Sequence, residues 1–470
     1  MNGHEAVCGL ISHPGENMRQ DAVLFVQIEG SLLSLTSYRD YHFEVAREMG
    51  LACLTAVVRR HEPTDGDAGA GREDTWWLDS LSVEALLRLL ERLDAHYDVK
   101  AVFCYAGQAS AYGEVGVIVA EVCRVTGRAH SPPAAVAACN NKFLMREALH
   151  ERGVRSVRHA MCSDVDALRE AAEAVGYPLI AKPPYGAGSA FTAKCRNWNE
   201  LRDHYQRFTE QHDQAVVSDY YGMSHEIRTD NGASVHYEPG KSILLEQYID
   251  GIEGSVECVI VDDKVYPVLI NEKLILTEKR GTVLENLLIS PPVSFPAPAI
   301  AEINRYAIDC LDAIGLRNAI VHLEFRLSAT GPIVIEINPR LGGLYVNAAL
   351  KDIAGLDPYA LYLSMLTRDS GLHERLRSGC ARAAEGRQHY SMFALFPEQS
   401  GQFKGINGLD SVVADPAIIE CKVACPAGSQ IRADIEENYL LKGWAAVNGR
   451  DHAISLYDRI TRDLEPEIVS

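Results

Sequence analysis

The chain has 470 residues, 47% of them hydrophobic and 23% charged, a composition that suits a globular protein of about three domains. Its formal net charge of −19 argues against a sequence-independent grip on nucleic acid or anionic membrane, because such binding rests on lysine and arginine displacing counterions. No apolar stretch approaches the ~20 residues of a membrane span, no basic segment followed by a long apolar one opens the chain, and the 12 cysteines are scattered in mostly apolar surroundings; a cytoplasmic protein with reduced thiols that acts on small polar molecules is expected.

In chain order, the first thirty residues read as irregular. Residues 31–35 then read as a strand, 41–49 as a helix and 51–58 as a second strand. Residues 62–73 form a Gly/Asp-rich loop, 83–95 have helical apolar spacing, 99–105 are a buried strand and 115–126 a helix. This alternation predicts an open α/β domain over residues 1–131 with a largely parallel sheet and a crevice at its carboxyl strand ends. Pro132-Pro133 marks a break, after which 134–150 reads as one helix carrying Asn141, Lys142 and Arg146. A strand over 177–182 runs into Lys182 and the loop PPYGAGS. Residues 206–241 are polar and irregular, longer than a compact domain usually tolerates, and read as an insertion or a mobile segment. Strands resume at 242–248 and 256–261, and a last unit from residue 386 to 470 mixes β-type runs with glycine turns.

The most informative segment is HLEFRLSATGPIVIEINPRLGG, residues 322–343. A period of two puts Val321, Leu323 and Phe325 on one side of a strand and His322, Glu324 and Arg326 on the other; in a second strand Ile333, Ile335 and Ile337 back Glu336, Asn338 and Arg340. If the two strands pair through the turn former-rich segment between them, two carboxylates, a carboxamide and a guanidinium share one face. Those are hard oxygen ligands for Mg²⁺ beside a cation for an anionic intermediate. A hairpin with a solvated charged face gives the same alternation; the closing Asn-Pro-Arg-Leu-Gly-Gly, whose glycines let backbone approach a substrate, favours a site. Lys182 with the glycine-bearing loop after it presents a cation and free amides to phosphate oxygens, although a simple turn reads the same way. In LEQYIDGIEG, main-chain groups near Gln247 and Ile249 suit an adenine edge and a later carboxylate suits ribose hydroxyls; a strand followed by an acidic turn is the alternative.

Taken in order, Asn141-Lys142 with Arg146, then YPLIAKPPYGAGS, LLEQYIDGIEGSVE, HLEF and IEINPRLGG resemble the ATP-grasp superfamily. Within it, the length and the segments around Asn271-Glu272-Lys273 and Leu284-Glu285-Asn286 most resemble bacterial L-amino acid ligases, which join two amino acids into a dipeptide. The resemblance implies an α/β chain, α+β in parts: the N-terminal domain, an ATP-grasp domain over residues 132–385 with a phosphate-loop lid at about 155–248, and a C-terminal β-rich unit over 386–470. It further implies that Lys142 and Lys182 bind ATP phosphates under a loop holding Gly186, Gly188 and Ser189. Glu246, Gln247 and Ile249 would frame the adenine and Glu253 the ribose. Two Mg²⁺ ions, with Mn²⁺ as an alternative, would sit on Glu324, Glu336 and Asn338. Arg340 would steady an acyl phosphate or a substrate carboxylate, with Gly342 and Gly343 beside it, and Glu285 would meet a substrate ammonium.

Two positions depart from the family pattern. Phe191 stands where the phosphate loop of relatives commonly carries a glycine, and Leu288 stands where dipeptide-forming relatives lead one to expect a histidine. The expected activity is an ATP- and Mg²⁺-dependent ligase joining a small-molecule carboxylate to an amine. The acceptor stays open between an amino acid and another amine or a carrier-bound group of specialised metabolism, such as antibiotic synthesis. A non-catalytic nucleotide-binding protein is the alternative of another class, and a homodimer is compatible with the sequence.

Overall fold

The computed structural model describes residues 19–29, 36–59, 74–104, 114–186, 188–214, 225–228, 234–279, 282–433 and 437–469. The N-terminal region contains β1 (Gln20–Ile28), α1 (Thr36–Glu48), β2 (Ala52–Val58), β3 (Thr75–Leu78), α2 (Val83–Leu93), β4 (Tyr97–Phe103) and α3 (Glu114–Thr126). Its strands form a parallel sheet in the order β3-β2-β1-β4. β1 falls in the stretch read as irregular. Ala22 to Val26 are all buried, as befits a central parallel strand covered on both faces, so it shows an apolar run where a half-exposed strand would alternate. The strand expected at 31–35 and the loop at 62–73 lie outside the described residues.

The single helix expected over 134–150 is two, α4 (Pro133–Asn140) and α5 (Lys142–Glu151). Asn141 breaks it: its backbone is extended and its side chain accepts from the Phe143 and Leu144 amides, a cap that starts a new helix with Lys142 at its first position. Next come β5 (His159–Cys162), α6 (Val165–Val175), β6 (Leu179–Lys182), β7 (Ala193–Cys195), α7 (Trp198–Gln211), β8 (His225–Arg228), β9 (Ser234–Tyr237) and β10 (Ile243–Gln247). A four-stranded sheet, β5-β10-β6-β7, carries α6 and α7 on an apolar layer around Leu168, Leu201 and Leu245. The expectation of irregular chain from 206 needs correction: α7 runs to Gln211 because Leu201, Tyr205 and Phe208, at helical spacing, are buried under an otherwise polar helix. β8 and β9 form a separate antiparallel pair in the same stretch.

The rest of the chain contains β11 (Ile252–Val261), β12 (Lys264–Glu278), β13 (Val283–Ser290), α8 (Ala297–Ile314), β14 (Ala319–Ser328), β15 (Gly331–Asn338), α9 (Val346–Ala354), α10 (Pro358–Leu366), α11 (Leu372–Ala384), β16 (His389–Leu395), β17 (Gly401–Asn407), α12 (Leu409–Val413), β18 (Ile418–Val423), β19 (Gln430–Ile431), β20 (Leu441–Val447), α13 (Arg450–Asp463) and β21 (Glu465–Val469). Eight strands make one antiparallel sheet, β15-β14-β11-β12-β13-β16-β20-β18. Strands after residue 386 thus extend the same sheet that holds β14 and β15. α8 packs on one face of it through Ile303, Ala307 and Leu311, while α9, α10 and α11 form a second core that includes Val23 and Phe25 of β1. No helix among the described residues is long and apolar enough to cross a membrane.

Candidate active site

The hairpin of β14 and β15 forms as the alternation predicts, with Glu324 directly opposite Glu336 and His322 opposite Asn338. One detail differs. The register shifts between Glu324 and Phe325, so Val334 and Ile337 are the fully buried residues of β15 and Ile335 is only partly buried. A bulge adds one residue and reverses the side-chain phase beyond it, which turns Ile335 out of the core to line a cavity beside Glu336.

That cavity, of about 370 Å³, lies between the β5-β10-β6-β7 sheet and the eight-stranded sheet. It gathers Lys142, Lys182, Gly186, Gly188, Ser189, Glu246, Gln247, Ile249 and Glu253 with Glu285, Leu288, Glu324, Glu336, Asn338, Arg340 and Gly343. Of the residues expected in a site, Gly342 alone is not on its wall. A Cβ there would stand 2.6 Å from His322 Nδ1, so the glycine permits the close packing of the turn after β15 against β14.

One end of the cavity is built from buried ion pairs. Lys182 Nζ lies 2.8 Å from Glu246 Oε2 and Arg146 Nε 2.8 Å from Glu246 Oε1. Arg146 also donates to the Val334 and Ile335 carbonyls at 2.8 and 3.1 Å, tying α5 to β15. Burial pushes the Glu246 carboxyl up, but the two cations outweigh it and hold it at about 2; burial lowers Lys182, and Glu246 offsets this only in part. The Glu246 carboxylate therefore holds Lys182 in place on the cavity wall. Lys142 Nζ, 2.9 Å from Glu336 Oε1, also donates to the Gly186 carbonyl at 3.3 Å.

The glycine loop after β6 takes left-handed backbone at Gly188, Ser189 and Phe191. Phe191 adopts this conformation, ordinarily glycine's, with its ring fully buried 5.3 Å from that of Phe208 of α7. A glycine would leave the loop free, whereas the phenyl ring pins it to the sheet's helical layer.

Lys273 of β12 is the residue sequence reasoning missed at the centre. Its Nζ lies 2.8 Å from both Glu253 and Glu324 and also pairs with Glu285. Oxygens of these three carboxylates lie within 4.8 Å of one another. Burial lowers the lysine, but the three acids outweigh it and raise it well above its ordinary value. Glu324 is held at about 2, where Lys273 and His322 overcome burial; in Glu285 burial and Glu324 prevail and the carboxyl is raised. Arg326 Nε lies 2.7 Å from Glu253, and Arg326 Nη1 donates to the Ile249 carbonyl at 2.9 Å. Behind Glu324, His322 Nδ1 lies 2.7 Å from Glu257 Oε1.

The donor set suits a divalent cation. Glu324 and Glu336 face each other across the ladder, Asn338 follows on the same strand, and Asn338 Nδ2 is buried with no hydrogen-bond partner among the described residues. Hard oxygens with a neighbouring amide donor fit a metal bound to phosphate.

Residues 175–348 match the family model of the ATP-grasp domain. The fold agrees: an L-amino acid ligase from Bacillus licheniformis superposes with a TM-score of 0.67 at 17% identity, over 96% of this chain and all of that one. Residues 175–348 are thus similar to an ATP-grasp domain. Among curated proteins, it is 26% identical over 393 residues to an uncharacterized protein of Sinorhizobium fredii, covering 80% of this chain and 70% of that one. It is 28% identical over 235 residues to carnosine synthase 1 of Gallus gallus, covering 50% of this chain but only 23% of that much longer protein.

Two further residues reach the cavity from the C-terminal region, Glu437 and Tyr439. Glu437 Oε1 accepts from the Glu285 amide at 3.2 Å and Oε2 from the Tyr439 hydroxyl at 3.0 Å, while its own amide donates to the Gly188 carbonyl at 3.0 Å. Burial, with Glu285 close by, pushes its carboxyl up to about 8. No local signal in the sequence marks either residue; only the strand order β13-β16-β20 brings their segment beside β13.

Proposed function

We propose that the protein is an ATP- and Mg²⁺-dependent carboxylate–amine ligase that activates the carboxylate of an amino acid as an acyl phosphate and joins it to an amine. The convergence of Lys142, Lys182, Glu324, Glu336, Asn338 and Arg340 on one cavity carries the reading, since phosphoryl transfer needs positioned charge rather than covalent help from the protein. In this reading Lys142 and Lys182 hold phosphate oxygens under the Gly186–Ser189 loop. Gln247 and Ile249 meet the adenine through backbone, and Glu253 meets the ribose. Glu324, Glu336 and Asn338 hold the Mg²⁺, which when bound neutralises the phosphates. Arg340 steadies the substrate carboxylate and its acyl phosphate. The amine must attack in its neutral form, and Glu285 is placed to orient it and take its proton.

An amino acid as acid substrate is supported by the likeness to the superposed L-amino acid ligase, and by a cavity whose wall holds apolar Leu288, Val283 and Leu344 as well as Arg340 and the acidic Glu285. The direct test is ADP release across pairs of amino acids and other acids and amines, with mass detection of the product. Acid- and amine-dependent ADP release with an amide product supports the ligase, and ATP binding without such turnover supports a nucleotide-binding protein instead.

A further inference from the structure

Glu246, Glu253, Glu285, Glu324 and Glu336, five carboxylates of the cavity, each pair with a lysine or arginine. Glu437 does not. Among the described residues no lysine, arginine or histidine nitrogen lies within 4 Å of its carboxylate, whose partners are an amide and a phenol. The cations nearby are engaged elsewhere: Lys273 is shared by three other acids, and Lys442 stands 4.0 Å over the Tyr439 ring. Both oxygens of Glu437 are held in place by donors of fixed position, and each keeps a lone pair for a further one. A carboxyl aimed into a partly desolvated cavity without a counter-ion, held up at about 8 while it is unpaired, ionises when a cationic group of the ligand pairs with it, and so is complementary to one.

Glu285 is less suited to that task. Its carboxylate already pairs with Lys273, so a second ammonium there would meet a neutralised acid beside a like charge. Glu437 sits directly behind it, bonded to its amide, and touches the phosphate loop at Gly188. We infer that Glu437 anchors the ammonium group of the amino acid whose carboxylate is activated, so that the C-terminal region supplies the selectivity for amino acids over simple acids. Arg340 and Glu437 would then grip the two ends of a zwitterion, with Leu288 and Val283 on its side chain. This rests on the ligase reading.

The test uses the full chain, ATP, Mg²⁺ and hydroxylamine in place of the amine, so the only substrate ammonium is on the acid. Hydroxamate formation is measured for the best amino acid and for its analogue lacking the amino group. Glu437→Gln keeps the shape and the backbone contact to Gly188 while removing the ability to ionise against an ammonium. It should raise KM for the amino acid by about 10- to 100-fold and leave KM for ATP and for the desamino acid nearly unchanged. Tyr439→Phe, which frees one oxygen of Glu437, should move the same ratio in the same direction by a smaller factor and gives a second reading if Glu437→Gln folds poorly. A purely structural role would move all three KM values or none. Wild-type hydroxamate with an unchanged KM ratio in both variants overturns the inference alone, and no wild-type hydroxamate with any acid overturns the ligase reading and the inference with it.

Discussion

The two ends of the cavity are built on opposite principles. At the end proposed for the nucleotide charge is internally balanced: Glu246 is clamped by Lys182 and Arg146, Glu336 by Lys142, and Glu253 by Arg326 and Lys273. At the end proposed for the substrate Leu288 and Leu344 line the wall and Glu437 has no cationic partner among the described residues. Preorganised pairs fix the position of lysines for any phosphorylated ligand, and they cost little rearrangement when it arrives. An unbalanced acid beside an apolar wall leaves the final contact to the substrate, which is where selectivity is set.

The largest effect that would break this contrast lies in the pair proposed to bind metal, Glu324 and Glu336. Glu336→Gln should keep the fold, because its partner Lys142 still donates to the Gly186 carbonyl, and should lower turnover on the order of 10²- to 10³-fold. A folded variant with near-normal ADP release would remove the metal assignment.

Arg146→Met probes the balance itself. It strips one of two cations from Glu246 and leaves the Val334 and Ile335 carbonyls without their donor. Loss of one partner from such a buried network costs on the order of 3–5 kcal/mol, read as a fall in the unfolding midpoint. The acid side checks the sign. Glu246 is held at about 2, below the ordinary carboxylate value of 4.5. Its contribution is therefore complete above pH 4.5 and is lost as pH falls toward 2. Melting curves of the wild type should fall across that window, and those of Arg146→Met should fall less, having less of this pairing to lose.

The smallest effect belongs to the substrate wall. Leu288, 2% exposed, stands opposite Lys273 in the β12–β13 ladder. Leu288→His should shift the kcat/KM ratio of two competing acids toward the smaller or more polar one by about 1–3 kcal/mol, with KM for ATP little changed. An unchanged ratio with an altered ATP KM would move Leu288 to the nucleotide's side of the boundary.

The same contrast explains what could be read from sequence. The charge-balanced end follows local rules: Glu324 and Glu336 meet because period-two strands joined by a short turn set their own register, and Lys182 lies at a strand end before its glycine loop. Where a local rule has a local exception, alternation alone misleads. The bulge that puts Ile335 into the cavity needs one extra residue that alternation cannot reveal, and Asn141 looks like a helix interior until its side chain is seen capping the next helix. β1 was hidden by burial on both faces. Lys273 and Glu437 were hidden for another reason, since their roles arise only from long-range strand pairing across the eight-stranded sheet.

The central claim is that a carboxylate is activated as an acyl phosphate before an amine attacks. Hydroxylamine, supplied with the acid, ATP and Mg²⁺, competes for such an intermediate. Hydroxamate that depends on both ATP and the acid, and disappears in Glu336→Gln, is the predicted result. Robust amine-dependent ADP formation with no hydroxamate across a broad panel of acids would contradict it.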